Sequence, residues 1–138
     1  MATATPYNVL TTIDLPELGQ KHSGKVRDFY IGKDTRVLIT TDRQSAFDVM
    51  LGHIPYKGAV LNLLSEFWFS QTSHIIPNHM ISVPDPNVMI VKNSMAIPIE
   101  MIVRGYITGV TQTSLWYSYQ RGERMIYGMQ FPDGLRKN

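Results

Sequence analysis

The sequence predicts an α+β fold built on an antiparallel sheet, and three features of the residue pattern support this class. Short strand-like runs follow one another with tight turns between them, which favours hairpins over parallel βαβ units. One longer segment has the apolar spacing of a helix. Two further strand-like runs come after that helix. In chain order the segments are KVRDFYI, RVLITT, AVLNLLSEFWFSQTSHII, NVMIVKN and IPIEMIVRGYI.

Length and composition restrict the class of protein. The 138 residues are 43% hydrophobic and 17% charged, which is typical of a soluble globular chain. The net charge of +2 is too small to indicate a nucleic acid or an anionic membrane as a partner. Because the chain has no cysteine, no apolar run of membrane-spanning length and no apparent secretory signal, we expect a cytoplasmic protein.

The first strand-like run carries two cations and an aromatic ring. In the stretch SGKVRDFY, strand alternation puts Lys25, Arg27 and Phe29 on one face. Gly24 precedes them and lets a ligand approach the backbone closely. This row suits a polyphosphate with a flat base or sugar against the ring. The alternative is an exposed edge strand whose cations are solvated. The stretch is not the phosphate-binding loop that opens a helix, because no helical pattern follows it.

The helical segment lies in the middle of the chain. Leu61, Leu64 and Trp68 recur at helical spacing, as do Leu63 and Phe67, so the sequence predicts a helix with a broad buried stripe. The segment that follows is predicted to be irregular because it contains three prolines, Pro77, Pro84 and Pro86.

A cluster of polar residues lies between the second strand and the helix. Asp42, Arg43, Ser45 and Asp48 surround an apolar pair in the stretch DRQSAFD. From the pattern alone, two structural explanations apply. Ser45 and Asp48 have the spacing of a local capping arrangement. Asp42 and Arg43 are alternatively partners in a structural ion pair.

Further polar positions occur at the start of the helix and in the last strand-like run. Lys57 and Gly58 stand where backbone amides and the helix dipole favour an anion, although a lysine here is alternatively just solvated. In IPIEMIVRGYI, strand alternation puts Glu100 and Arg104 on one face, as suits a cleft-facing strand.

The last third of the sequence predicts a second, shorter helix. Thr111 and Thr113 are its candidate N-caps, and Gly122 is expected to close it. No further long periodic element follows. We therefore expect the chain to be a piece of a longer protein.

Six stretches of the sequence share their order and spacing with one known family. They are SGKVRDFY, TTDRQSAFD, PYKGAVLNLLSEFWF, PIEMIVRGYITG, TSLWYSY and PDGLRKN. Together they resemble the N-terminal half of phosphoribosylaminoimidazole-succinocarboxamide (SAICAR) synthases, from about Leu15 to Asn138. The resemblance implies a two-lobed fold. An ATP-covering antiparallel sheet similar to a kinase small lobe would span residues 1–95, and a hinge with the start of a second lobe would span residues 96–138.

The resemblance also implies an activity. Members of this family are ligases of purine biosynthesis that join carboxyaminoimidazole ribonucleotide to L-aspartate, convert ATP to ADP and phosphate, and require Mg²⁺. The carboxylate ligands of the Mg²⁺ ion would lie in the C-terminal half of such a protein. Residues 1–138 alone are therefore expected to hold no metal ligands and to be inactive. The alternatives are a kinase-like phosphotransferase and a catalytically silent fragment that binds a nucleotide or a partner. A homo-oligomer is compatible with the sequence.

Individual residues acquire roles from the same resemblance. Lys25 and Arg27 would stabilise the transferring phosphoryl group, and Arg104 would bind the ribonucleotide phosphate. Val110 stands where many relatives have serine, so that hydrogen bond is either missing or supplied by another group such as Thr111. The implied nucleotide contacts are Gly24, Lys25, Val26, Arg27, Phe29, Met95, Ala96 and Ile97, and the implied substrate contacts are Ser45, Asp48, Lys57, Gly58, Glu100 and Arg104.

Overall fold

A computed structural model of the chain describes residues 8–99 and 101–137. The chain forms two compact units, Met1–Ala96 and Ile97–Asn138. The first unit holds an antiparallel sheet and one long helix, and the second holds a short helix and a small hairpin. No helix among the described residues has the length and hydropathy needed to cross a membrane.

The first unit is organised around a five-stranded sheet in which every neighbouring pair is antiparallel, so the predicted class is confirmed. The strand order is β1-β2-β3-β7-β6, and β4 and β5 form a separate hairpin. A 3₁₀ turn at Pro16–Leu18 precedes the sheet. The strands are β1 (Lys21–Ser23), β2 (Arg27–Ile31), β3 (Thr35–Thr40), β4 (Arg43–Ala46), β5 (Val49–His53), β6 (Met80–Asp85) and β7 (Val88–Lys92).

Strand β2 separates a buried face from a more open one. Asp28 and Tyr30 are fully buried, and the N-terminal segment packs on this side. There the Thr12 hydroxyl donates to Asp28 Oδ2 at 3.0 Å, and the Leu15 amide donates to the Tyr30 hydroxyl at 2.7 Å. Because successive strand residues alternate between the two faces of the sheet, Arg27 lies on the face opposite to that of Asp28 and Tyr30.

Helix α1 (Lys57–Gln71) forms where the apolar spacing predicts it. The predicted buried stripe is wrong, because the residues of α1 that are buried are Gly58 and Asn62. The Asn62 amide donates to the Pro86 carbonyl at 3.0 Å, so a small and a polar residue face the sheet. Five of the apolar residues of the helix are 41–56% exposed: Leu61, Leu63, Leu64, Phe67 and Trp68.

The proline-containing segment after α1 is more regular than predicted. It forms β6, which pairs with β7 at the edge of the sheet. Pro84 is tolerated there because an edge strand has an unpaired side where a missing N–H costs little. The pairing shifts register between Met80 and Ser82 and again between Ser82 and Asp85.

The second unit contains helix α2 (Leu115–Gln120) and the hairpin of β8 (Met125–Ile126) and β9 (Met129–Gln130). Neither predicted threonine caps α2, because Ser114 is the N-cap and its hydroxyl accepts from the Tyr117 amide at 3.4 Å. Gly122 closes the helix as predicted, with φ of +94° and its amide donating to the Tyr119 carbonyl at 3.1 Å.

The strand predicted over residues 97–107 is wrong for the part of it that the structure describes, which has no regular secondary structure. An extended run is stable only when a neighbour satisfies its backbone groups. The strands assigned among the described residues of this unit are β8 and β9, which pair with each other. Glu100 lies outside the described residues.

Candidate functional site

The Gly24–Arg27 stretch is a tight turn between β1 and β2. The Gly24 amide donates to the Arg27 carbonyl at 2.7 Å. The Val26 carbonyl accepts from the amide and the hydroxyl of Thr41, at 3.1 and 2.8 Å, which fixes the turn to the end of β3. Lys25 therefore lies at the tip of a hairpin rather than within the strand. The prediction that it shares a strand face with Arg27 is wrong.

The structure brings together two residues that were predicted to bind different ligands. Lys25 Nζ forms an ion pair with Asp48 Oδ1, although the two side chains remain 69% and 80% exposed. Asp48 lies at the tip of the β4–β5 hairpin, where it has φ of +65° and the preceding Phe47 has φ of +50°. Exposed ion pairs of this kind contribute less than about 1 kcal/mol, so Lys25 can exchange its partner readily.

Arg27 and Phe29 have different surroundings. Arg27 lines a cavity of about 90 Å³ between the sheet and α1, together with Thr40 and Asn62, and it forms no ion pair with any described residue. The Phe29 ring is stacked on His22 with centroids 5.1 Å apart. One face of this ring is thus in contact with the protein itself, and its predicted nucleotide contact stays a prediction.

The polar cluster between β3 and α1 is divided between separate structural roles. Ser45 lies in β4 opposite Met50, and no helix begins there, so the capping interpretation is wrong. Asp42 and Arg43 do not pair with each other. Arg43 instead donates to Asp28 Oδ1 at 2.8 Å and to the Gly24 carbonyl at 3.2 Å, which connects β4 to the turn that carries Lys25.

Asp28 is the centre of a buried charge cluster that the sequence did not indicate. Its carboxylate is fully buried and lies 2.8 Å from Arg43 and 3.2 Å from Lys21. Burial acts to raise the pKa of Asp28, but hydrogen bonds from Arg43, Lys21, Thr12 and Ser23 outweigh it and lower the pKa below its ordinary value. Asp28 is therefore a structural anion that holds β1, β2 and β4 together.

The N-terminus of α1 is occupied by an anion of the protein itself. Asp42 is buried, and its Oδ1 accepts from the Gly58 amide at 2.8 Å while its Oδ2 accepts from the Leu10 amide at 2.9 Å. A Cβ at Gly58 would lie 2.2 Å from the Thr40 carbonyl oxygen, so only glycine fits. The Lys57 ammonium donates to the Arg43 carbonyl at 3.0 Å. Substrate contacts at Lys57 and Gly58 stay predictions.

The predicted adenine-binding residues have no regular secondary structure. Met95 and Ala96 end the first unit and Ile97 begins the second. All three are exposed, Met95 almost completely. Their predicted role in a hinge stays a prediction.

A large open cavity of about 1070 Å³ lies within the second unit. Its walls are mostly apolar, and two arginines, Arg104 and Arg136, line it. Val110 and Thr111 both reach the cavity, so a Thr111 hydroxyl is available next to the valine that stands in place of serine. The sequence pattern does not single out Arg136, because it follows a turn and belongs to no strand or helix whose periodicity could place it on a face.

Metal-binding groups are sparse in the part of the chain that the structure describes. No group of three or more histidine or acidic side chains there is arranged to hold a metal ion. The two buried carboxylates, Asp28 and Asp42, already accept hydrogen bonds from the protein.

Comparison with known proteins identifies the family. The sequence profile of SAICAR synthetase matches residues 20–138. The chain belongs to the SAICAR synthetase family. It is 59% identical over 129 residues to phosphoribosylaminoimidazole-succinocarboxamide synthase of Legionella pneumophila (strain Paris), an alignment that covers 94% of this chain and 41% of the relative. It is also 53% identical over 131 residues to the chloroplastic synthase of Arabidopsis thaliana, of which it covers 31%.

A solved structure supports the same assignment. SAICAR synthase from Saccharomyces cerevisiae, in complex with SAICAR, matches this SAICAR synthetase family chain with a TM-score of 0.75 and 33% sequence identity. The match covers 93% of this chain and 50% of the yeast protein. The chain thus spans about two fifths to half the length of these two relatives from Legionella and yeast. Both the predicted family and the predicted SAICAR synthase-like fold are confirmed.

Proposed function

We propose that this chain supplies the ATP-phosphate-binding part of a ligase that joins carboxyaminoimidazole ribonucleotide to L-aspartate. The observation that carries the proposal is the family match over residues 20–138. The Lys25 turn adds physical support, since it offers an exposed ammonium beside a glycine whose backbone a ligand can approach. ATP is the proposed cosubstrate, and the cytoplasm is the proposed compartment.

The chemistry of such a ligation explains why ATP is needed. A carboxylate is a poor electrophile, because its leaving group would be oxide. In the proposed sequence one carboxylate oxygen of the ribonucleotide attacks the γ-phosphorus and ADP leaves. The aspartate amine then attacks the acyl carbon, loses a proton, and displaces phosphate, which carries away that carboxylate oxygen. Both steps depend on positioning and charge neutralisation more than on a protein nucleophile.

The residues of this chain have distinct proposed roles. Lys25 binds a phosphate of ATP as a point charge, and Arg27 offers a planar fork to phosphate oxygens. The backbone of residues 95–97 faces the adenine. Arg104 binds the ribonucleotide phosphate. Ser45 and Asp48 contact the ribonucleotide or aspartate. Mg²⁺ is the proposed metal of the reaction, and its carboxylate ligands are proposed to come from the C-terminal half of the complete protein.

Omission of aspartate distinguishes the ligase from its main alternative. We expect the complete gene product, given ATP, Mg²⁺, aspartate and carboxyaminoimidazole ribonucleotide, to form the succinocarboxamide product together with ADP and phosphate in equal amounts. Mass spectrometry and a phosphate assay measure these products. A kinase-like phosphotransferase would instead consume ATP equally fast without aspartate and release a phosphorylated acceptor, and a catalytically silent protein would consume none.

A further inference from the structure

The cavity of the second unit carries positive charge with nothing to balance it among the described residues. Arg104 and Arg136 both line it, and none of the described lining residues is acidic. Both guanidinium groups are on exposed residues, and neither forms an ion pair with a described residue. By contrast, Arg124 of the same unit is paired with Asp133 at 2.7 Å. Two arginines in one cavity, neither paired with an acidic residue that the structure describes, are a favourable arrangement for a multiply charged anion.

Arg136 is held at this cavity by a fixed turn. Tyr119 of α2 is buried, and its hydroxyl donates to the Pro132 carbonyl at 2.8 Å while accepting from the Leu135 amide at 3.0 Å. The one hydroxyl thus clamps both ends of the turn, whose Gly134 has φ of +83°. The residue that follows Leu135 is Arg136. Its backbone is therefore positioned by a buried contact, and only the side chain has to adapt to a ligand.

The rest of the cavity fits a phosphorylated molecule with an apolar or flat part. Apolar side chains such as Ile102 and Phe131 form much of the wall, and the hydroxyl residues Thr111 and Ser114 line it as well. A phosphate monoester carries between about −1.5 and −2 charges at pH 7, so one guanidinium neutralises it incompletely. Arginine forks bind phosphate oxygens in a bidentate manner, and two forks suit the three free oxygens of a monoester.

We infer that Arg136 is a second phosphate-binding residue for the ribonucleotide and acts together with Arg104. This inference rests on the proposed function, in which Arg104 binds that phosphate, and it adds a residue with no role so far. Arg136 contributes affinity for the phosphorylated substrate and none for ATP. Ribonucleotide binding should consequently depend on both arginines in a non-additive way, since they share one ligand group.

Direct binding measurements on the complete gene product test Arg136. We expect Arg136→Gln to weaken carboxyaminoimidazole ribonucleotide binding about tenfold by calorimetry, within the range for charge-assisted hydrogen bonds. Arg136→Lys should lose less of this affinity than Arg136→Gln, because lysine keeps the positive charge although it lacks the planar guanidinium group. Lys137→Gln is the matched control, since Lys137 is the adjacent exposed cation and does not line the cavity. Ribose 5-phosphate serves as a second probe that reports the phosphate alone.

The outcomes separate this inference from the proposed function. A loss of ribonucleotide affinity in Arg136→Gln, with the ATP KM and the thermal unfolding midpoint unchanged, supports the inference. Unchanged ribonucleotide affinity, or an equal loss in the Lys137→Gln control, overturns it even if ligation proceeds. If the wild-type protein makes no ligation product but still binds ribose 5-phosphate through Arg136, the proposed function fails and the anion site stands.

Discussion

Asp28→Asn is expected to destabilise the first unit by about 3–5 kcal/mol, the usual cost of removing one member of a buried ion pair. The substitution keeps the shape of the side chain but removes the charge that Arg43 and Lys21 surround. Both cations would be left partly buried without a counter-charge. Chemical denaturation of the complete gene product, followed by circular dichroism, measures the loss.

The exposed pair of Asp133 with Arg124 provides the matched control. The Asp133 side chain is 89% exposed, so Asp133→Asn should cost less than about 1 kcal/mol because solvent screens the pair. Equal losses in Asp28→Asn and Asp133→Asn would contradict the role given to the buried cluster.

Acidification should remove the advantage of the wild-type protein over Asp28→Asn. The pKa of Asp28 is lowered in the folded state, so its contribution to stability is complete above the pKa of the unfolded chain, about 3.9. That contribution is lost as the pH falls through the lower folded-state pKa. The difference in unfolding free energy between the two proteins should therefore be constant near neutrality and shrink below about pH 4. A difference that is the same at pH 3 and pH 7 would contradict the assignment.

Lys25→Ala and Arg27→Ala are each expected to weaken the use of ATP by about 1.5–3 kcal/mol, or roughly 10- to 150-fold in kcat/KM for ATP. Lys25 has no strong partner to lose, because its pair with Asp48 is exposed, and Arg27 forms no ion pair with a described residue. The loss would thus come from the phosphates rather than from the fold. Steady-state kinetics with ATP varied, using the complete gene product, measures it.

Lys33→Ala is the control for this pair of variants. Lys33 is an exposed lysine in the β2–β3 turn, at the opposite end of β2 from Lys25. We expect it to leave the ATP dependence unchanged. Wild-type kinetics in both Lys25→Ala and Arg27→Ala would rule out the phosphate-binding assignment, and equal losses in Lys33→Ala would show a general effect of charge.

The local pattern of the sequence is sufficient to predict the β2–β3 hairpin and the long helix. Residues 32–35, GKDT, turn the chain between β2 and β3, and the Gly32 amide donates to the Thr35 carbonyl at 2.9 Å. The strands on either side are short, with aromatic residues and an isoleucine in β2 and mostly β-branched residues in β3, so propensity and pairing agree. Helix α1 likewise has its apolar spacing throughout. The prediction of which side of α1 is buried is wrong. Close packing at Gly58 and a hydrogen bond from Asn62 decide which side of the helix meets the sheet.

Features that depend on distant partners could not be predicted from single stretches. Residues 97–107 have a strand-like pattern, but the described part of this range forms no strand, since pairing depends on a neighbour that local pattern does not specify. The contact of Lys25 with Asp48 depends on two hairpin tips meeting, and one of these needs positive φ angles at Phe47 and Asp48. The two cations around Asp28 come from β1 and β4, which meet β2 only in the folded chain.

The central claim, that the protein activates a carboxylate with ATP before amide formation, is tested most directly by following an oxygen atom. Carboxyaminoimidazole ribonucleotide labelled with ¹⁸O in its carboxylate is incubated with the complete gene product, ATP, Mg²⁺ and L-aspartate, and the released phosphate is examined by ³¹P NMR. If ATP activates the carboxylate, each phosphate released carries one carboxylate oxygen and therefore shows the ¹⁸O isotope shift. Unlabelled phosphate formed together with amide product would contradict it.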